Sequence, residues 1–362
     1  MANLFLKELL PHLVVVSLQA SILAMVVILV RVLLGSALSP RWRYALWFLV
    51  LLRLAWPFSL PSPVSIFNLV LTPLSAIPLD SELGWLAGNV PGVVIEWLRS
   101  PMARLLWAMG MTVLVGRVVL GWLVLCWRLR GSQAVCSWPI WWLLQECKAA
   151  TGIATPLTIL ECPNLQSPCV VGFFSPRLVL PWGVVGRLSQ DELRDVFLHE
   201  LAHVKRRDIP AAWAVEVLKV LHWFNPLVWW ICKRMDQDRE EACDEMALDR
   251  LAPDHPTAYG STLIKILEGV GYRSLPQMPG IARLIEGEKA LVRRLQFILG
   301  FQHGSRTWVV GACACIAIAI VGFTDAPLDE IQARWKTSIQ ELDSETNPSP
   351  SSELAVSSSS VD

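Results

Sequence analysis

His199-Glu200-Leu201-Ala202-His203 is the stretch from which the rest of the chain is read. Two histidines four apart lie on one face of a helix, so both imidazoles can reach one metal ion. Glu200, next to them, can take a proton from a water molecule activated there. The flanks supply the helix. Ser189 and Glu192 have capping-box spacing, and Leu193, Val196, Phe197 and Val204 recur at helical spacing. Lys205, Arg206 and Arg207 fall where cations suit the helix dipole. In a chain with six histidines a chance match has a probability on the order of one percent or less, so the motif is specific.

A catalytic zinc site takes three protein ligands and leaves a position for water. Position 209 is Ile209, so no third histidine continues the pattern and a carboxylate is expected. Glu240 and Asp244 lie four apart on one helical face, which suits one ligand plus one carboxylate that orients a ligand imidazole. Glu241 and Glu216 are rival ligands; Glu241 points off the Asp244 face, and Glu216 lacks an acidic partner at i+4. His222 reads as a substrate-side group or as a histidine packed between helices. Cys243 reads as a modulator of the metal site or as a small buried hydrophobe.

Outward from the motif, the composition points to a membrane. Hydrophobic residues make up 54% of the 362, and 18 tryptophans suit interfaces where a ring is half wet. Lys plus Arg equal Asp plus Glu at 31 each, which gives no support to nucleic acid as a direct partner. Apolar runs at 13–34, 44–60, 105–127 and 306–324 read as four transmembrane helices. Arg31 sits near one end of the first and can snorkel; Arg53 and Arg117 lie inside the second and third. Basic residues flank 128–305, whereas the 61–103 loop and the tail have few, so that block is expected in the cytoplasm and both termini outside. Val93 to Trp97, within the external loop, reads either as lying on the membrane surface or as a plain connector. All nine cysteines fall in the cytoplasmic block or in a span, so no disulfide framework is expected.

The expected layout is a membrane region over 1–127, a soluble domain over 128–305, a fourth span over 306–324 and a short external disordered tail over 325–362. The fold class is an α-helical membrane protein with a mainly helical α+β zinc-peptidase domain containing a small sheet. A helix is expected over Pro139–Thr151, strands at 157–160, 169–174 and 177–181, and a further helix from Pro210 to Phe224. Asn225-Pro226 opens a long helix to about Leu251. The last two strands form a hairpin, which reads as core sheet or as an exposed edge able to add a substrate strand. The Trp-rich run 213–232 reads as a helical hairpin against the membrane surface.

Taken together, these motifs resemble the M56 family of membrane zinc peptidases, the antirepressor family that includes the BlaR1/MecR1 β-lactam sensors. The matching pieces are Tyr44-Ala45-Leu46-Trp47, Leu51-Leu52-Arg53-Leu54, Val171-Gly172 to Pro181, His199 to Asp208, His222-Trp223-Phe224-Asn225-Pro226 and Glu240 to Asp244. The resemblance implies a gluzincin-type domain with His199, His203 and Glu240 holding Zn2+, Glu200 as base and Asp244 orienting a ligand. It also implies a protein substrate, such as a cytoplasmic BlaI-like transcriptional repressor, in a chain seated in the lipid bilayer of the inner membrane. A homodimer is compatible with it. Signalling relatives are thought to cut themselves before the last span, where Arg293-Arg294 looks like an exposed dibasic pair; arginines obeying the positive-inside rule are the alternative. The β-lactam sensors carry a penicillin-binding domain after the last span. The tail here has no Ser-x-x-Lys motif, so β-lactam sensing is not expected. Two other functions compete: a quality-control peptidase for membrane proteins, and a non-catalytic zinc-containing receptor or scaffold.

Overall fold

The computed structural model describes residues 2–56, 60–61, 93–252, 255–268, 282–283, 288–301, 307–322 and 324–325. Two compact units divide the chain, one of 1–57 with 91–318 and one of 58–90 with 319–362. In the second unit, Leu60–Pro61 pairs in parallel with Thr324–Asp325. The rest of the expected tail, and residues 62–92 of the expected external loop, lie outside the described residues.

The first unit begins with α1 (Ala2–Leu34) and α2 (Pro40–Ala55). Ala20, Leu23, Ala24 and Val27 recur at helical spacing and are buried, forming one core with Tyr44, Leu46, Trp47 and Val50 of α2. Within the expected second span 44–60 the helix stops at Ala55, because Trp56 precedes Pro57 and takes an extended conformation (φ −116°, ψ 100°). At 16 residues it is about 24 Å long, short of a bilayer's hydrocarbon core. Arg53 is fully buried and donates to Gln19 Oε1 of α1 at 2.7 Å, so it faces a neighbouring helix. Arg31 does not snorkel. It grips Asp238 with two hydrogen bonds, of 2.5 and 2.9 Å.

A short helix over 93–99 precedes α3 (Pro101–Arg128), and the apolar residues Val93 and Trp97 on it are exposed. Among the described residues two helices are long and apolar enough to cross a membrane, Leu9–Leu34 and Pro101–Arg128. Only Ala103 and Leu125 of α3 are buried, which leaves Leu105, Met109, Val113 and Leu120 uncovered on several sides. Apolar surface on that scale calls for a non-aqueous environment. One point where α3 meets protein is Gly110, whose Cα faces the Trp223 ring so closely that a Cβ would lie 2.3 Å from it.

The remaining elements build a mainly helical α+β layer. Helix α4 (Trp138–Thr151) ends on Gly152 in the left-handed region (φ 69°). The sheet consists of β1 (Gln133–Ala134), β2 (Thr158–Cys162), β3 (Cys169–Val171), β4 (Arg177–Pro181) and β5 (Ala282–Arg283), in the order β1-β2-β4-β3-β5. Only β2 and β4 run parallel. Strand β3 ends three residues earlier than 169–174, because Gly172 turns at φ 103° with a Cβ position only 2.4 Å from the Ser175 carbonyl oxygen. The β3–β4 hairpin is not an open edge: β2 covers β4, and β5 covers β3. Alternation sends Val170, Leu178 and Leu180 into the main core, while Cys169, Val171 and Val179 join Cys162 on the other face.

Against this sheet lies α5 (Gln190–Arg206), followed by α6 (Asp208–Leu221), α7 (Pro226–Leu248), α8 (Pro256–Glu268), α9 (Glu288–Leu299) and α10 (Thr307–Gly322). The capping box forms as expected, with Ser189 and Glu192 each accepting from the other's backbone N–H. Asn225 caps α7 by accepting from Leu227 N at 2.9 Å. From Asp195 to His203 every residue of α5 is buried. Phe197 and Leu201, each contributing about 1.5–3 kcal/mol by burial, anchor that helix in the core. Helix α7 has a different role at each end. Val228, Ile231 and Met235 pack into the α1–α2 core, while Glu240 and Asp244 sit in the α5 layer. All nine cysteines are free.

Candidate metal centre

Helix α5 presents His199 and His203 on one face, and α7 brings Glu240 against them. His199 Nε2 and His203 Nε2 lie 3.6 and 3.9 Å from Glu240 Oε2. These gaps are too long for hydrogen bonds, and all three atoms are buried with no hydrogen-bond partner. Three converging orphaned atoms inside a core are costly unless something sits between them. Two ligands at about 2.0–2.1 Å from a tetrahedral ion stand about 3.3 Å apart, so a small inward movement closes the set around a cation. The donor set of two imidazoles and one carboxylate fits a metal ion.

The far nitrogens are held. His199 Nδ1 lies 3.0 Å from both Asp244 Oδ1 and the Tyr259 hydroxyl, and that hydroxyl donates to Asp244 at 2.8 Å. Arg294, on α9, braces the carboxylate with two hydrogen bonds of 2.8 Å. His203 Nδ1 meets Asp208 Oδ2 at 2.8 Å. That contact depends on Arg207, a non-glycine residue in the left-handed region (φ 57°), which turns α5 straight into α6 and folds Asp208 back onto the histidine. Tyr44 and Arg206 also donate to Asp208, both at 3.4 Å.

The electrostatics favour positive charge. Burial alone would raise Glu240, but His199, His203, Arg239 and Arg294 overcome it and hold the carboxyl down to about 2. Burial opposes charge on His199, yet the bond to Asp244 and the nearby carboxylate of Glu240 win and raise it to about 9. Burial wins at His203, whose pKa is lowered despite the bond to Asp208. Glu200 is pushed up to about 8 by burial, with Glu240 adding and His199 and Arg294 opposing. Both its oxygens are buried without a hydrogen-bond partner.

The rival carboxylates point elsewhere. Glu241 pairs with Arg43 and Arg293, and Glu216 with Arg117 and Lys219. His222 is fully buried and its Nδ1 lies 3.1 Å from the Leu218 carbonyl at the end of α6, between helices. Cys243 is buried but not a mere hydrophobe: its Sγ lies 3.3 Å from His203 Nδ1 and 3.5 Å from Asp208. The expected exposed dibasic pair is corrected. Arg293 and Arg294 lie within α9; Arg294 is 1% exposed and part of this site, and Arg293 is tied to Glu241.

The structure brings to the metal site three residues that the sequence reading did not place there: Asp208, Tyr259 and Arg294. Asp244→Asn is expected to lower metal affinity roughly ten- to a hundredfold by loosening His199. Tyr259→Phe, which keeps the ring and removes the bridging hydroxyl, should do less. Metal titration of the purified variants measures both, and wild-type affinity in Asp244→Asn would contradict the orienting role.

The profile described as BlaR1 peptidase M56 matches residues 11–298. Regulatory protein BlaR1 of Bacillus licheniformis is 29% identical over 167 residues, 45% of this chain and 27% of that protein. The methicillin resistance mecR1 protein of Staphylococcus aureus is 34% identical over 109 residues, 30% of this chain and 19% of the relative. The chain thus matches about a quarter or less of the length of these relatives.

Proposed function

The chain belongs to the BlaR1 peptidase M56 family, and from that premise we propose a membrane-embedded zinc endopeptidase that regulates by cleaving a cytoplasmic protein. The observation that carries this reading is the convergence of His199 Nε2, His203 Nε2 and Glu240 Oε2, buried and unpartnered, with the unpartnered carboxyl of Glu200 on the same helix as the two histidines. Those three atoms would hold the ion. Zinc bound there supplies a Lewis acid that polarises a carbonyl and acidifies water.

The remaining work falls to side chains. Glu200 takes a proton from the attacking water onto a carboxylate oxygen and returns it to the amide nitrogen that leaves. Its upward shift toward neutral pH suits a group that must do both. Asp244 and Tyr259 fix the ring of His199, and Asp208 fixes that of His203. The buried walls around α5 keep bulk water from the reacting centre.

In this proposal the chain is a multi-pass protein of the inner (plasma) membrane and 128–305 faces the cytoplasm, in line with the arginines that flank it. The name of the BlaR1 relative, a regulatory protein, supports a regulatory substrate, for which a BlaI-like transcriptional repressor is our proposal. Self-cleavage at Arg293-Arg294 requires α9 to unwind, since Arg294 is buried. Mass spectrometry of new protein ends, in cells carrying wild type or Glu200→Gln, tests the function. We expect one DNA-binding protein to be cut in the wild type alone. Many cut membrane proteins would favour quality control, and none would favour a receptor.

A further inference from the structure

Where α1 ends, its last turns, α2 and the first half of α7 line a half-open cavity of about 410 Å3. Three guanidiniums line it, those of Arg31, Arg43 and Arg234, and Val32, Trp47 and Trp230 supply apolar wall. The charges around it do not balance. Asp238 is taken by Arg31 and also accepts from Trp47 Nε1 at 2.6 Å. Glu241 is shared between Arg43 and Arg293. Arg234 donates to the amide oxygen of Gln237 at 3.2 Å, a neutral partner. Among the described residues, four guanidiniums (31, 43, 234 and 293) therefore face two carboxylates (238 and 241), which leaves two positive charges over. Half-buried cations in excess invite an anion.

The surroundings say what kind of anion. Val32 and Leu33 are 72% and 73% exposed, and Leu29 lies one turn back on the same uncovered side of α1. Trp230 at the rim is 47% exposed. A cationic hollow beside a long apolar helix, with an indole at its mouth, matches a ligand that has a charged head and apolar tails. We propose that this cavity binds the headgroup of an anionic phospholipid, its phosphate held by Arg234 and Arg43 and its acyl chains lying along the exposed side of α1. Arg234 shares α7 with Glu240 and Asp244, so a bound lipid ties the helix that carries the metal-site carboxylates to the membrane surface.

The inference rests on α1 lying in the bilayer, which is tested separately by alkaline carbonate extraction of vesicles holding the full chain. Release of the protein would overturn the membrane reading and this site with it. For the site itself, native mass spectrometry of the detergent-purified chain would compare phosphatidylglycerol with phosphatidylcholine of identical acyl chains. We expect phosphatidylglycerol to be retained in preference. Arg234→Gln should reduce that preference about fivefold and Arg234→Lys should largely restore it. If Arg234→Gln does not fold, Arg43→Gln on the facing wall gives the same readout. Equal retention of the two lipids overturns the proposal, as does an unchanged preference in the folded glutamine variant. Loss of the preference on adding inorganic phosphate would identify a free-phosphate site instead and would also overturn it.

Discussion

Glu200→Gln is expected to leave the metal in place and to reduce peptide cleavage by about two to four orders of magnitude, the usual weight of a general acid–base. The substitution keeps the shape of the side chain in a fully wrapped helix, so packing gives it no reason to unfold. Both oxygens of Glu200 are buried and make no hydrogen bond, so nothing structural depends on their charge. The upward pressure on its pKa, to about 8, comes first from burial. Glutamine removes that unfavourable ionisation and should leave stability equal or slightly higher. An inactive variant with full metal content and an undiminished melting temperature is the outcome that separates chemistry from binding. Wild-type cleavage by this variant would end the peptidase reading.

Arg294→Met is the substitution with the largest expected effect on stability, about 3–5 kcal/mol, because it leaves a buried carboxylate without its cation. Arg294 makes both of its 2.8 Å bonds to Asp244, and its Nη1 stands 3.7 Å from Glu240 Oε2. Although burial alone would raise Asp244, Arg294 and His199 hold it well below the usual carboxylate range. Removing the guanidinium turns that arrangement against the fold, because His199 is then left to offset the buried Asp244 carboxylate. The double variant Arg294→Met with Asp244→Asn should recover part of the loss, since no unpaired charge then remains there. Thermal unfolding in detergent measures both, and an unchanged melting temperature for the single variant would contradict the bracing role.

Much of the site was legible because it is local. The two histidines, the capping box at Ser189 and Glu192, and the Asn225 cap depend on neighbours within one turn, and each forms as read. The pairing of Glu240 with Asp244 followed from helical geometry on a single helix, and the rival Glu241 lies on the side facing Arg43 and Arg293. Tyr259 was not legible. It reaches His199 from α8, 60 residues along, with no pattern linking the two. Asp208 could have been found by asking what orients His203, since it follows the end of α5 directly.

Arg294 carried a signal that its neighbour obscured. The dibasic pair looked like a surface feature, yet Leu291, Leu295 and Ile298 form the apolar stripe of an amphipathic helix, and Arg294 falls on that stripe while Arg293 does not. A charge on a core-facing position predicts a buried partner, and here the partner is Asp244. The end of α2 at Ala55 was not read from the apolar run, although the proline after Trp56 carries the signal that ends the helix. Membrane orientation has no counterpart in internal contacts, so it rests on the arginines and on the uncovered apolar surface of α3.

The proposed chemistry stands or falls on which atoms hold the metal. Zinc content per chain, measured by elemental analysis on detergent-purified wild type, Glu200→Gln and Glu240→Ala, tests this directly. One zinc is expected in the first two and a large loss in the third, because two imidazoles alone make a poor site. One full equivalent of zinc in folded Glu240→Ala would show that Glu240 is not a ligand and would contradict the central claim.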